Sequence, residues 1–322
     1  MKTKKFSEQH PKVVVVGAGS VGATYCYALA QSGLASEIVL IDRNEELVKG
    51  QVLDLVHGQP FFPPVIIRSG TESDYADAQL VVITAGVAQK SGETRLQLLK
   101  KNADIVGGIA ETVSKQKCKG VILIVSNPVD VLTYVALKRS GWKRGRVIGS
   151  GTVLDSARFR HLLGKHCDVD VHNIHAYFLG EHGDSEFAAW SMTHIAGIPV
   201  DEFCKVCGNC PGWKEQRKVI EQQVRDSAAH IINSKGSTYF AVGLALVKIT
   251  GSILRNQNSV LTVSTLLDGE YGLKDVCLSV PCVVSVRGIE RIIVAPLASN
   301  EQVSLLYSAN ILHKAIDSLK QE

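Results

Sequence analysis

"KVVVVGAGSVG", residues 12 to 22, joins four consecutive valines to three glycines spaced G-x-G-x-x-G. An unbroken apolar run, rather than an alternating one, reads as a strand covered on both faces. Gly17, Gly19 and Gly22 then open a helical stretch, about Gly19–Gly33. Glycines at this spacing allow a tight turn and bring backbone close to a pyrophosphate. The helix N-terminus behind them favours its charge. Ser20 and Val21 belong to the same loop. The motif alone is weak. Its context is strong, because "EIVLID" (37–42) ends in Asp42, 20 residues after Gly22. A carboxylate there accepts hydrogen bonds from the adenosine ribose and repels a 2′-phosphate. NAD is therefore expected rather than NADP, with Arg43 the one feature pulling the other way.

Outward from this turn, further Val- and Ile-rich runs follow at 65–70, 79–86, 120–128 and 145–151. Helical patterns lie between several of them: Glu45–His57, Leu96–Lys117 and Val129–Ser140. Strand–helix alternation predicts an α/β fold, a Rossmann-type doubly wound parallel sheet. The composition shifts near Gly151. Beyond it come helical stretches at Asp155–Leu163, Lys214–Ser234 and Thr238–Arg255. Ile220, Val224, Ala228 and Ile231 share one face of the second of these. Alternating runs, "SVLTVSTLL" and "CVVSVRGIERIIVA", predict antiparallel strands. A charged amphipathic helix, about 300–320, ends the pattern. The expected division is a dinucleotide-binding domain at 1–150 and a mixed α+β substrate domain at 151–322.

The composition suits a soluble globular chain of two domains: 322 residues, 45% hydrophobic and 20% charged. The net charge of +4 is modest and basic residues are interleaved with acidic ones, which does not suggest nucleic acid. No apolar run approaches a membrane span, and "MKTKKFSEQHPK" lacks the apolar core of a signal peptide. The eight cysteines are accordingly read as reduced thiols in the cytoplasm. "CKVCGNC" spaces Cys204, Cys207 and Cys210 like metal ligands. It lacks a second cysteine pair or a nearby histidine pair, so it reads as a loop between helices and no metal is expected.

"GEHGDSE", residues 180–186, carries an imidazole from an apolar segment, "NIHAYFL", into a polar turn. With "GAGSVG", "AGVAQKSGETR", "SNPVD", "GSGTVLDSARFR" and "KGSTY", it makes the chain resemble the lactate/malate dehydrogenase family. Within that family it is similar to the bacterial L-lactate dehydrogenases. The resemblance runs from about Lys12 to the C-terminal helix. It implies hydride transfer between NADH and pyruvate, with L-lactate as product. His182 would be the acid/base, since histidine changes charge near neutral pH. Asp155 would hold its second ring nitrogen. Arg158, three residues on, would bind the substrate carboxylate through its planar fork. Arg95, at the end of a lid, would polarise the carbonyl. Gln89 would read the substrate side chain, and its neutral amide suits the methyl of pyruvate. Thr238 would line the same pocket. Val242, where the family often has isoleucine, bears on its volume. Asn127 would contact both cofactor and substrate, with a cis bond to Pro128. His10, His57, His161, His172 and His230 are read as ordinary surface or core histidines.

The resemblance also implies a homo-oligomer, a tetramer. Arg160 leaves its helix nearly opposite Arg158, at about 100° per residue. With His175 it matches the fructose 1,6-bisphosphate effector site of some bacterial members, set across a twofold interface. Three rival functions remain. They are a malate or bulkier 2-hydroxy acid dehydrogenase, an NAD-using glycoside hydrolase needing a metal constellation, and a redox-sensing binding module without catalysis.

Overall fold

The computed structural model describes residues 11–88, 92–208 and 212–320. His10, Gln89 and Cys210, named above, lie outside them. The first half runs β1 (Lys12–Val16), α1 (Ser20–Ser32), β2 (Glu37–Ile41), α2 (Glu45–His57), β3 (Ile66–Ser69), β4 (Leu80–Ile83), α3 (Arg95–Lys115), β5 (Val121–Ile124), α4 (Val129–Ser140) and β6 (Val147–Gly149). The second half opens with α5 (Val153–Cys167) and the short strands β7 (Ile174–His175), β8 (Phe178–Leu179), β9 (Phe187–Ala188), β10 (His194–Ile195) and β11 (Ile198–Pro199). It continues through α6 (Val200–Val206), α7 (Trp213–Lys235), α8 (Phe240–Leu254), β12 (Ser259–Asp268), β13 (Lys274–Ser285), β14 (Gly288–Ile292) and α9 (Ser299–Lys320).

Strands β1 to β6 pair in parallel in the order β6-β5-β4-β1-β2-β3. The order reverses beside β1, so the carboxyl ends of β1 and β4 open a crevice at this switch point. Helices on both faces explain the unbroken apolar runs: β1, β4 and β5 are buried along their whole length. The alternating runs of the second half are antiparallel, as their pattern predicts. They do not form a sheet of their own. β12 joins β6 at Ser264 and Gly149, and nine strands of the described residues make one sheet. Gly149 makes this join possible, because a side chain there would meet Ser264 Cβ at 2.8 Å.

One apolar segment divides, and two local expectations change. "NIHAYFL" is two short strands, because β7 pairs with β10 while β8 turns to β9. Of the predicted apolar face of α7, only Ile220 and Val224 are buried, against the cluster containing Phe159, Phe178 and Trp190. Cys204 lies inside α6 and Cys207 caps it, rather than both lying in a loop. Phe159 anchors the cluster by edge contacts with Phe178 at 5.2 Å and Trp190 at 4.8 Å. It thereby fixes the rotation of α5 and directs Asp155 and Arg158.

Candidate active site

The G-x-G-x-x-G turn shows why each glycine is needed. Gly17 sits at φ +115°, where a side chain would also strike Thr84 Oγ1 at 2.6 Å. A Cβ on Gly22 would lie 1.9 Å from the Gly17 carbonyl, so helix α1 could not pack against the turn. Gly19 differs: a Cβ there meets nothing within 4 Å. Its bareness keeps open space for something that approaches the backbone. The N-terminus of α1 has no side-chain cap and no acidic residue in its first turn. Its N–H groups, with Ser20 and Val21 in the first turn, are thus left to an external anion.

A groove of about 650 Å³ runs from Gly17 and Gly19 past Asp42, Arg43 and Thr84 to Gly86 and Val87. Asp42 Oδ2 accepts the Ala18 N–H at 2.8 Å, and Oδ1 accepts the Asn44 N–H at 3.0 Å. The carboxylate therefore pins the glycine turn and keeps acceptor capacity on the groove side. An open backbone cradle, an uncapped helix end and an acceptor carboxylate fit a dinucleotide with a free adenosine ribose.

The second half of the site begins at Asp155, in the first turn of α5. Its carboxylate is 1% exposed. Oδ2 meets His182 Nδ1 at 2.7 Å, and Oδ1 accepts from Arg158 Nη1 at 2.8 Å. Burial works to raise the Asp155 pKa, but the charges and hydrogen bonds of His182 and Arg158 outweigh it and hold the carboxyl below its ordinary range. Burial likewise opposes charging the His182 ring. The Asp155 carboxylate outweighs it and holds the ring up at about 9. With Nδ1 committed, Nε2 is the nitrogen left for an external partner, and the side chain keeps 25% exposure to reach one.

The loop around His182 is tied to four elements. Asp130 of α4 accepts the His182 N–H at 2.8 Å, and Gly180 exchanges backbone hydrogen bonds with Ser279 of β13 at 3.0 Å. Ser308 of α9 donates to the Ser185 carbonyl at 2.8 Å, and Arg225 of α7 donates to that of Glu186 at 3.2 Å. Such a loop holds an imidazole in place without depending on a substrate.

The other expected residues are placed as follows. Arg95 is the exposed first residue of α3, behind an N-cap box made by Thr94 and Gln97. Gln89 lies outside the described residues. Asn127 is exposed at the end of β5, and its bond to Pro128 is cis. Thr238 is half-buried between α7 and α8. Arg160 and the exposed His175 line one recess of about 450 Å³, together with Lys248 and away from Asp155.

Sequence reasoning missed Asn102, Asp130 and Glu186. Asn102 accepts the Val87 N–H at 2.8 Å and donates to the Val87 and Asn127 carbonyls, so it ties the base of the lid to the cis-proline turn. One signal was available, a lone amide inside the apolar stripe of Leu99, Ala103 and Val106. Asp130 and Glu186 stand in the quoted motifs, but nothing in their spacing shows that both are buried near one imidazole. Asp155, His182 and Glu186 also form a cluster of metal-ligand type. Arg158 already spends a guanidinium on it, which disfavours a cation.

Comparisons with known proteins agree with this geometry. Residues 11–149 match the lactate/malate dehydrogenase NAD binding domain, and residues 152–322 match the alpha/beta C-terminal domain of that family. An L-lactate dehydrogenase of Treponema denticola is 59% identical over 98% of this chain and 100% of its own length. One from Acetivibrio thermocellus is 51% identical, covering 96% of this chain and 97% of its own. The crystal structure of a lactate dehydrogenase from a Medee basin deep-sea metagenome library superposes with a TM-score of 0.94 at 43% identity, over 97% of this chain and 99% of that one. The nucleotide groove, the Asp155–His182 pair and these matches over nearly the whole chain place the protein in the lactate/malate dehydrogenase family.

Proposed function

We propose that the chain is an NAD-dependent L-lactate dehydrogenase, interconverting pyruvate and L-lactate. The observation that carries the reading is the shared carboxylate of Asp155, which holds an acid/base imidazole on one oxygen and a guanidinium on the other. The groove lined by Gly17, Gly19 and Asp42 would hold NADH, which would supply the hydride. His182 Nε2 gives a proton to the substrate's carbonyl oxygen in reduction and takes it back in oxidation. Arg158 has N–H groups beyond the one on Asp155, and these pair the substrate carboxylate. Arg95 polarises the carbonyl oxygen as the lid closes, and Thr238 lines the pocket for the side chain. Gln89, a neutral lid residue, favours a methyl group over a second carboxylate. The test is NADH oxidation with pyruvate, oxaloacetate and longer 2-oxo acids. Pyruvate should have the highest kcat/KM, and a preference for oxaloacetate would overturn the lactate reading.

The working form in this reading is a cytoplasmic homotetramer. Among the described residues no helix is long and apolar enough to cross a membrane. Fructose 1,6-bisphosphate is its effector. Arg160, His175 and Lys248 converge on one recess, and a twofold axis there brings two sets of bases together, to be neutralised by a bisphosphate. Pyruvate saturation curves with and without the bisphosphate test this in the wild type and in Arg160→Gln. The half-saturation concentration should fall on addition in the wild type only. Superimposable wild-type curves would refute it.

A further inference from the structure

Glu186 has no part in the chemistry above, yet its side chain is 4% exposed. Its Oε2 is buried and receives no donor among the described residues. That oxygen lies 3.9 Å from His182 Nδ1, and an oxygen of the Glu186 carboxyl lies within 4.8 Å of one of the Asp155 carboxyl. The charged groups facing this point are few. Asp155 and Arg158 come from α5, Asp130 from α4, and Glu181 and His182 from the loop itself. Arg225 of α7 is occupied by the Glu186 backbone carbonyl and the Glu221 carboxylate. Arg158, 2.8 Å from Asp155, is therefore the permanent cation beside two neighbouring carboxyls. Two like charges this close inside a low-dielectric enclosure repel strongly, and one proton between them removes the repulsion. Asp155 is the member with cationic partners, so it keeps its charge and the proton goes to its neighbour. Burial, with the Asp155 charge beside it, pushes the Glu186 carboxyl well above its ordinary range.

We propose that Glu186 is a positioning residue that stands as a neutral carboxylic acid, donates a hydrogen bond to Asp155, and so tempers how tightly Asp155 holds the His182 imidazolium. Asp155 then receives three donors: Arg158, His182 and Glu186. Each added donor spreads its charge and weakens the others' hold. Without Glu186 the imidazolium would be held more firmly and would be a weaker acid toward substrate. This inference rests on the reading of His182 as the acid.

The test compares wild type, Glu186→Gln and Glu186→Leu. The His182 ring is titrated by NMR in histidine-labelled protein, its signal assigned by absence in His182→Asn. The pH profile of kcat/KM for pyruvate is recorded alongside. The glutamine amide can still donate to Asp155, so its His182 titration should stay at the wild-type position. Leucine cannot donate, and both the titration and the alkaline limb should move up by about half a pH unit to one unit. If Glu186 were ionised, both variants would remove a negative charge and both would move down, which overturns the proposal. No movement in either variant also overturns it. A third measurement stands apart from the folding of the leucine variant. The wild-type minus Glu186→Gln infrared difference spectrum at neutral pH should show a protonated-carboxyl C=O band, and a carboxylate band instead would be fatal. A wild type inactive on pyruvate would refute the dehydrogenase reading while leaving the ring titrations interpretable.

Discussion

Replacing Asp155 with asparagine keeps the shape of the site and removes the charge that holds His182. With Asp155 in place the ring sits at about 9, against an ordinary 6.5. That interval corresponds to about 3 kcal/mol of preference for the imidazolium. In Asp155→Asn the opposing effect of burial remains, so the ring should titrate at or below 6.5. The sign for the reaction follows. Reduction of pyruvate needs the protonated ring, so wild-type kcat/KM should be flat through neutrality and fall as pH passes about 9. In the variant the same fall should begin more than two pH units lower, by roughly the interval just given. At pH about 7.5 the protonated fraction drops from nearly all to about a tenth, so ionisation alone removes roughly tenfold of the rate. Loss of the Nδ1 hydrogen bond, which orients the ring, adds to this. The assay is NADH absorbance at saturating cofactor across the pH range, with L-lactate oxidation as control. Oxidation needs the neutral ring, so its acid limb should move the opposite way in rate, gaining at neutral pH relative to reduction. If the Asp155→Asn profile for pyruvate still broke near pH 9, Asp155 would not be what sets the acid.

His182→Asn should bind NADH normally by fluorescence titration yet lose roughly a hundredfold or more in pyruvate turnover, because the proton donor is gone; near-normal turnover would remove His182 from its role. Gln89→Arg should raise kcat/KM for oxaloacetate relative to pyruvate, since the guanidinium gains a carboxylate with one and none with the other; an unmoved ratio would free Gln89 of that assignment. Gly22→Ala and Gly19→Ala should part company in a thermal melt. The first forces a Cβ to 1.9 Å from the Gly17 carbonyl and should cost about 1–3 kcal/mol of stability. The second meets nothing within 4 Å, so it should melt like wild type while its NADH affinity falls, and an unchanged affinity would show that Gly19 does not face the cofactor.

Much of this was legible before any coordinates. Strands buried on both faces announce themselves as unbroken valine and isoleucine runs, and the G-x-G-x-x-G turn with Asp42 states its ligand because backbone geometry leaves few other uses for that spacing. These are local signals, written over one turn or one strand. His182, Asp155 and Arg158 were legible through resemblance only. Taken from spacing, Asp155 and Arg158 are a surface ion pair, and nothing in the chain says that a histidine 27 residues away closes on the same carboxylate.

The tertiary structure decided what depends on distant segments meeting. It joined the antiparallel strands of the second half to the parallel sheet through one contact at Gly149. It brought α4, α7, α9 and β13 to one seven-residue loop, and set Asn102 beneath the lid. It also turned Glu186 from an ordinary acidic residue in a polar turn into a buried carboxyl 3.9 Å from His182 Nδ1. The physical reason is the same in each case. A local pattern records how a segment covers its own faces, whereas the charge state of a buried group depends on which other groups share its enclosure.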